Sequence, residues 1–93
     1  MEYIKQFEND RVNVFRIRIM PQEQTELHYD VYSHIVIALN GGTIMRNEAD
    51  GSTTYVEFPT GKALFRAAES PDKIHSSVNI SSAPIELIII ELK

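Results

Sequence analysis

Two of the chain's three histidines and one aspartate lie within a single seven-residue stretch, HYDVYSH, at residues 28–34. His28, Asp30 and His34 carry imidazole and carboxylate groups, which are common protein ligands of divalent transition metals. On one straight strand these residues would share a face, but His28 and His34 would lie about 20 Å apart at ~3.3 Å per residue. They can reach one ion only if the chain turns between them. Residue types alone therefore leave two interpretations open, a metal site or the solvent face of a strand.

The elements that must position these side chains are predicted to be β-strands. Segments rich in β-branched or alternating apolar residues are separated by turn signals such as Pro21, Asn40-Gly41-Gly42 and Asp50-Gly51. The predicted strands span residues 11–20, 31–39, 43–48, 53–58, 63–66, 74–80 and 85–92. No helical period occurs, and the regular spacing of turns is typical of a sandwich or barrel. The sequence therefore predicts an all-β fold.

Length, charge and composition limit the possible partners. A chain of 93 residues has room for one small core, so a single domain spanning residues 1–93 is predicted. The net charge of −4 and the scattered arginines predict no nucleic-acid partner. The longest apolar runs are too short to cross a bilayer and no signal peptide is recognised, so no membrane association is expected. The absence of cysteine fits the reducing cytoplasm.

Two apolar runs, IVIAL at residues 35–39 and LIII at residues 87–90, do not alternate with polar residues. Strands of this kind are covered on both faces. The cover could be a second subunit, or the strands could lie between two sheets of one chain. Because so short a chain buries little surface by itself, a homodimer is the prediction.

From about Arg11 to Lys93 the sequence resembles the small single-domain, RmlC-like cupins, a family of jelly-roll barrels also described as double-stranded β-helices. The family's first motif is glycine, five residues, His-x-His, three or four residues, glutamate, six residues, glycine. The matching positions here, with all spacings kept, are Gln22, His28, Asp30, His34 and Gly41. A carboxylate, Asp30, thus stands at the family's second histidine and a histidine, His34, at its glutamate, so the motif still offers two imidazoles and one carboxylate.

The second motif of the family is glycine, five residues, Pro-x-Gly, two residues, histidine, three residues, asparagine. It is matched by Gly61, by 67–69 in place of Pro-x-Gly, and, after a longer loop, by His75 and Asn79. All three histidines of the chain therefore occupy positions at which this family has metal ligands.

The resemblance implies a cupin barrel that binds one divalent transition metal through His28, Asp30, His34 and His75. Iron, manganese, zinc, nickel and cobalt all suit a set of three imidazoles and one carboxylate. It also implies a small polar molecule as ligand or substrate, without indicating a reaction, a catalytic acid or base, or whether there is turnover. The alternative is a barrel without metal that only binds a ligand or has a structural role.

Three further residues lie close to the expected site in the sequence. Arg66 is a candidate for substrate contact because it precedes the variable loop near the expected pocket mouth. Asn79 could orient His75 or could bind backbone at a turn. Glu69, in the sequence Glu-Ser-Pro-Asp, is predicted to lie in a surface loop without a catalytic role.

Overall fold

A computed structural model describes residues 1–93 as eight β-strands without any helix. In chain order the strands are β1 (Glu2–Glu8), β2 (Val12–Ile19), β3 (His34–Asn40), β4 (Gly42–Asn47), β5 (Thr53–Phe58), β6 (Ala63–Arg66), β7 (Ser76–Asn79) and β8 (Ile85–Leu92). The prediction of an all-β fold is confirmed. The structure has no helix of the length and apolarity that crossing a membrane would require.

The strands form two antiparallel sheets that face each other. The larger sheet has the order β1-β2-β8-β3-β6, and the smaller has the order β5-β4-β7. Neighbours in the larger sheet are mostly distant in sequence, as when β8 pairs with both β2 and β3. This arrangement brings the C-terminal strand to the centre of the sheet, where its apolar residues are flanked on both sides.

The core lies between the sheets and is formed by aliphatic side chains. Its buried members are Ile17, Ile19, Val36, Ala38, Ile44, Ile85 and Leu87. They come from alternate positions of their strands, as expected when one face of each strand points inward. The polar side chains at the ends of these strands are thereby directed into the same interior.

Three differences between the observed and predicted strands exceed one residue. Strand β1 was not predicted because all seven of its residues are exposed and it shows no alternation of apolar and polar residues. Strand β3 begins at His34 rather than at residue 31, because residues 31–33 form the corner that leads into it. Strand β7 begins at Ser76 rather than at residue 74, because His75 pairs with His28 instead of with a neighbouring strand.

Gly41 lies at a close approach of two backbone segments. A Cβ atom at this position would lie 1.9 Å from the carbonyl oxygen of Phe58, which is far inside van der Waals contact. Only glycine fits there without displacing the β5 backbone. The glycine that ends the first motif is therefore explained by backbone packing in this chain.

The face of the larger sheet that points away from the core carries an uninterrupted apolar row. Residues paired in register across all five strands form it: Phe7, Val14, Ile90, Ile35 and Phe65. Phe7 and Phe65, at the two edges of the sheet, are 55% and 64% exposed. Between these exposed ends of the outer apolar row, Val14 is buried and Ile35 and Ile90 are half-buried.

Candidate metal-binding site

His28 and His75 are brought together by backbone pairing. The segment before His28 runs antiparallel to β7, with a bridge between Gln24 and Val78 and a second between His28 and His75. In the second bridge each histidine donates its backbone N–H to the other's carbonyl, at 3.0 and 2.8 Å. The two imidazole rings consequently lie side by side, with centroids 4.5 Å apart.

Asp30 completes a cluster with these two histidines. Its Oδ1 lies 3.8 Å from His28 Nε2, and its Oδ2 lies 3.9 Å from His75 Nε2. Each of the three residues offers one ligand atom, and these atoms all lie within 4.8 Å of one another. Two donors that are each about 2.1 Å from one ion, at a tetrahedral angle, are about 3.4 Å apart, so small side-chain rotations would satisfy a shared ion. The chemistry and spacing of this triad therefore fit a divalent metal.

His34 lies apart from the triad but lines the same cavity. It opens β3, is 8% exposed, and faces the interior together with Val36 and Ala38. The cluster of mutually close ligand atoms contains His28, Asp30 and His75 and does not include His34. Of the four ligands expected from the sequence, the structure thus brings three into close proximity and leaves the fourth nearby.

All three imidazoles have the same orientation relative to the backbone. The Nδ1 atom of each lies close to the carbonyl oxygen two residues earlier: at 2.8 Å for His28, 3.1 Å for His34 and 3.1 Å for His75. A carbonyl oxygen only accepts hydrogen bonds, so these contacts favour a hydrogen on Nδ1 and leave the Nε2 lone pair free. This arrangement of a backbone acceptor behind each ring is characteristic of metal-binding histidines.

A buried ion pair that was not predicted lies behind the triad. Arg46, on β4, is 8% exposed, and its Nη2 lies 2.9 Å from Glu69 Oε2, 3.1 Å from Glu48 Oε1 and 2.9 Å from His75 Nδ1. Its Nε is buried without a hydrogen-bond partner. Glu69 is accordingly not a free surface residue, since its side chain is only 18% exposed and contacts the site.

Electrostatic effects within this pair are mutual. Burial alone would lower the pKa of Arg46, but Glu69 and Glu48 outweigh burial and raise it. Burial alone would raise the pKa of Glu69, but hydrogen bonds from Arg46 and from the Asp30 backbone, with the charge of Arg46, lower it. Both groups are therefore ionised at neutral pH. One signal in the sequence was available, because Arg46 shares the inward-facing parity of Ile44 on β4.

The triad opens into a cavity of about 710 Å³ between the two sheets. Its wall includes three tyrosines, Tyr3, Tyr29 and Tyr32, and the candidate Arg66. Arg66 is paired with His34 across the sheet and forms no ion pair with any carboxylate. The cavity is large enough for a small polar molecule.

Asn79 has the simpler of its two expected roles. Its side chain is fully buried, and Nδ2 donates to the carbonyls of Ile19 and Ala83 at 2.8 and 3.0 Å. Its Oδ1 accepts from the backbone N–H of Ser81 at 2.8 Å. All three hydrogen bonds go to backbone atoms, so Asn79 fastens a turn and does not orient His75.

Comparisons with known proteins identify the fold. No protein-family model and no curated protein matches the chain. Among solved structures, it is similar to a cupin domain from Bordetella pertussis Tohama I, with a TM-score of 0.86 at 22% identity over 99% of this chain and 92% of that one. It is also similar to an RmlC-like cupin family protein with a double-stranded β-helix fold from Methanocaldococcus jannaschii, with a TM-score of 0.71 at 16% identity over 98% and 78% of the two chains.

A third similar structure is the polyketide cyclase RemF from Streptomyces resistomycificus, with a TM-score of 0.68 at 19% identity. The match covers 97% of this chain and 63% of the cyclase. Similarity at these identities concerns the backbone arrangement and carries no activity with it. The chain has the cupin fold, a jelly-roll barrel of the double-stranded β-helix type, as its resemblance to the family implied.

Proposed function

We propose that the cavity binds one divalent transition metal through His28, Asp30 and His75, with His34 as the fourth ligand. The observation that carries this proposal is the shared orientation of the three imidazoles, each with Nδ1 close to the backbone carbonyl two residues earlier, which favours Nε2 as the metal-binding atom. A solvent-exposed face would not require that arrangement three times. Iron, manganese, zinc, nickel and cobalt are all compatible with three imidazoles and one carboxylate.

The ligand of this metal site is proposed to be a small polar molecule. A bound ion would supply Lewis acidity toward an oxygen atom of that molecule. Arg66 lies in the cavity wall with its charge unpaired, and Tyr29 and Tyr32 offer hydroxyl groups near the triad. These side chains would bind and orient the molecule. Whether turnover follows, or only binding, depends on the ligand.

The first experiment is metal analysis by mass spectrometry on protein purified without an affinity tag, beside His75→Ala. Ser77→Ala is a matched control, because Ser77 also lines the cavity but contributes no atom to the triad. We expect near one equivalent of a transition metal in the parent protein and in the control, and loss in His75→Ala. No metal in the parent protein, and none taken up from added Fe, Mn, Zn or Ni, would contradict the proposal and favour a barrel without metal.

Metal-loaded protein then allows the ligand class to be tested. Hydroxy acids and sugars can be titrated calorimetrically, while oxygen consumption and product formation are followed in parallel. Consumption of a compound that requires the metal would establish an enzyme. Binding without any conversion would establish a binding module.

We also propose that the chain forms a homodimer through the outer apolar row and the sheet face around it. Five strands at ~4.8 Å spacing and about 25 Å of strand length give a footprint of ~600 Å², comparable with the ~800 Å² per partner of a standard interface. The row crosses this face from Phe7 to Phe65 without a charged residue. Its exposed aromatic ends would lose water on pairing.

Sedimentation equilibrium tests the dimer with Phe65→Glu. Tyr55→Glu is the matched control, because Tyr55 is also 64% exposed but lies on β5 of the other sheet. Phe65→Glu should yield a monomer and Tyr55→Glu should remain a dimer. A monomeric parent protein at high concentration would contradict the proposal.

Residues 1–93 are proposed to act as one domain, because the buried aliphatic residues of both sheets form a single core cluster. A cytoplasmic location is proposed on the absence of cysteine. Fractionation of cells that produce the protein would test the location.

A further inference from the structure

We propose that Glu69 is a positioning residue for the metal site: its carboxylate occupies Arg46 and thereby keeps the His75 imidazole in the form whose Nε2 can bind a metal. This inference rests on the proposed function, because it names what prepares one ligand of that site. Glu69 contacts two of the three triad residues and does not belong to the triad itself.

The first contact fixes the loop that carries Glu69 to the corner that carries Asp30. The backbone N–H of Glu69 donates to the carbonyl of Asp30 at 2.8 Å, and the backbone N–H of Asp30 donates to Glu69 Oε1 at 3.1 Å. Such a reciprocal pair restrains both segments at once, much as a capping box does at a helix end. The position of Asp30 therefore depends on the Glu69 side chain.

The second contact concerns the hydrogen on His75. Nδ1 of His75 has two acceptors within reach, the carbonyl of Lys73 at 3.1 Å and Glu69 Oε1 at 3.4 Å. It also has one donor within reach, Arg46 Nη2 at 2.9 Å. A neutral imidazole nitrogen either donates or accepts, so these neighbours favour opposite tautomers. If Nδ1 accepts from Arg46, the hydrogen moves to Nε2 and the metal-binding lone pair is lost.

The two carboxylates beside Arg46 decide between these tautomers. Nη2 of Arg46 carries two hydrogens and has two carboxylate acceptors within hydrogen-bond distance, Glu69 Oε2 at 2.9 Å and Glu48 Oε1 at 3.1 Å. When both hydrogens are directed at carboxylates, none remains for His75. Nδ1 then carries the hydrogen and donates it to the Lys73 carbonyl, while Nε2 faces Asp30 with its lone pair free. A hydrogen bond between the Arg46 guanidinium and a carboxylate joins two opposite charges and is therefore stronger than one from the same guanidinium to an uncharged imidazole.

Glu69→Gln is the informative substitution. Glutamine has one oxygen, so it cannot serve both Arg46 and the Asp30 backbone, and its amide adds a donor beside Nδ1. Asp72→Asn is the matched control, because it removes one negative charge from the same loop while Asp72 bonds only to neighbouring Ser70 and backbone. Nitrogen-15 long-range NMR on metal-free protein reports which ring nitrogen of His75 carries the hydrogen. Calorimetric titration with zinc reports the affinity of the site.

We expect the Nδ1–H form of His75 in the parent protein and in Asp72→Asn, and the Nε2–H form in Glu69→Gln. Zinc affinity should fall about 10–100-fold in Glu69→Gln, the usual effect of losing an outer partner of a ligand, and should change by less than about threefold in Asp72→Asn. An unchanged tautomer and an unchanged affinity in Glu69→Gln would overturn the inference.

The two proposals can fail separately. If the parent protein takes up none of Fe, Mn, Zn or Ni, the proposed function fails, and the NMR comparison still decides whether Glu69 controls His75. If Glu69→Gln does not fold, Glu48→Gln replaces it, because that change frees one Nη2 hydrogen without touching the loop. The Nε2–H form should then become populated in Glu48→Gln, and a spectrum identical to that of the parent protein would contradict the role given to the carboxylates.

Discussion

His28 and His75 exchange backbone hydrogen bonds in both directions, so two residues from distant parts of the sequence are held in register before their side chains interact. The bridge continues the pairing of residues 22–28 with β7. Two potential metal ligands are therefore positioned by the backbone rather than by flexible side chains. Pre-positioning of this kind reduces the conformational entropy lost when a ligand binds.

The role of His34 can be separated from that of the triad by substitution. Loss of a side chain that only supports a metal ligand weakens metal binding about 10–100-fold. If His34 is itself the fourth ligand, His34→Ala should weaken metal binding more than this. Asp30→Asn should weaken it at least as much, because it removes the only carboxylate of the set. Calorimetric titration of both variants with zinc measures the effect. Parent-like affinity in His34→Ala would reduce the ligand set to His28, Asp30 and His75.

Asn79→Ala should destabilise the fold without a direct effect on the metal. The substitution leaves two backbone carbonyls and one backbone N–H without their partner in a fully buried position. We expect a loss of about 2–4 kcal/mol in the free energy of unfolding, measured by urea denaturation. Asn40→Ala, at an exposed site with one side-chain hydrogen bond to Pro84, should cost under about 1 kcal/mol. Equal losses in both variants would argue against this role of Asn79.

The contribution of Glu8 to the stability of the folded state should depend on pH. Hydrogen bonds from Lys5 and Lys93 lower the pKa of Glu8 to about 2, from an ordinary value of 4.5. A carboxyl group whose pKa is lower in the folded than in the unfolded state stabilises the folded state at pH values above 4.5. This stabilisation disappears as the pH falls toward 2. Glu8→Gln should therefore lower the thermal midpoint modestly at pH 7, and the difference from the parent protein should vanish near pH 2.

Salt provides an independent check on the same contact. Because the Glu8 side chain is exposed to solvent, its interaction with the two lysines should be screened at high ionic strength. The difference between Glu8→Gln and the parent protein should shrink when thermal midpoints are measured in 1 M salt. The pKa of Glu8 can be measured from the pH dependence of its side-chain carboxyl carbon chemical shift in NMR. A measured value near the ordinary 4.5 would contradict the lowered pKa.

The sequence predicted the elements whose signals are local. Strands β5 and β8 follow turn residues and contain β-branched residues, and both have the bounds that the sequence predicted. Strand β1 carries no such signal, since its residues are exposed and its one strand partner is β2. Its bulge between Lys5 and Phe7 further disturbs any alternation.

The contacts behind the triad could not be predicted, because they depend on how a loop folds back. Arg46 and Glu69 are separated by two strands and their turns, and nothing between them specifies that the loop after β6 returns to β4. The distance of His34 from the triad likewise depends on the shape of the corner at 31–33. Motif spacing identifies candidate ligands, whereas side-chain geometry decides which of them meet.

Substitutions at Gln22 can test whether the first motif favours glycine there because of the backbone conformation. Gln22 occupies the position of the family's opening glycine and has φ of 65°, a left-handed conformation that disfavours residues with a Cβ by about 1–2 kcal/mol. Gln22→Gly should remove this strain and raise the free energy of unfolding by about 0.5–1 kcal/mol, because the greater freedom of glycine in the unfolded chain offsets part of the gain.

Gly61, which opens the second motif with φ of 79°, supplies the reverse experiment, because a Cβ there would meet no atom within 4 Å. Gly61→Ala should thus lose about 1 kcal/mol from strain alone. Urea denaturation of both variants measures the effects, and a loss of stability in Gln22→Gly would show that the glutamine side chain contributes more than its backbone conformation costs.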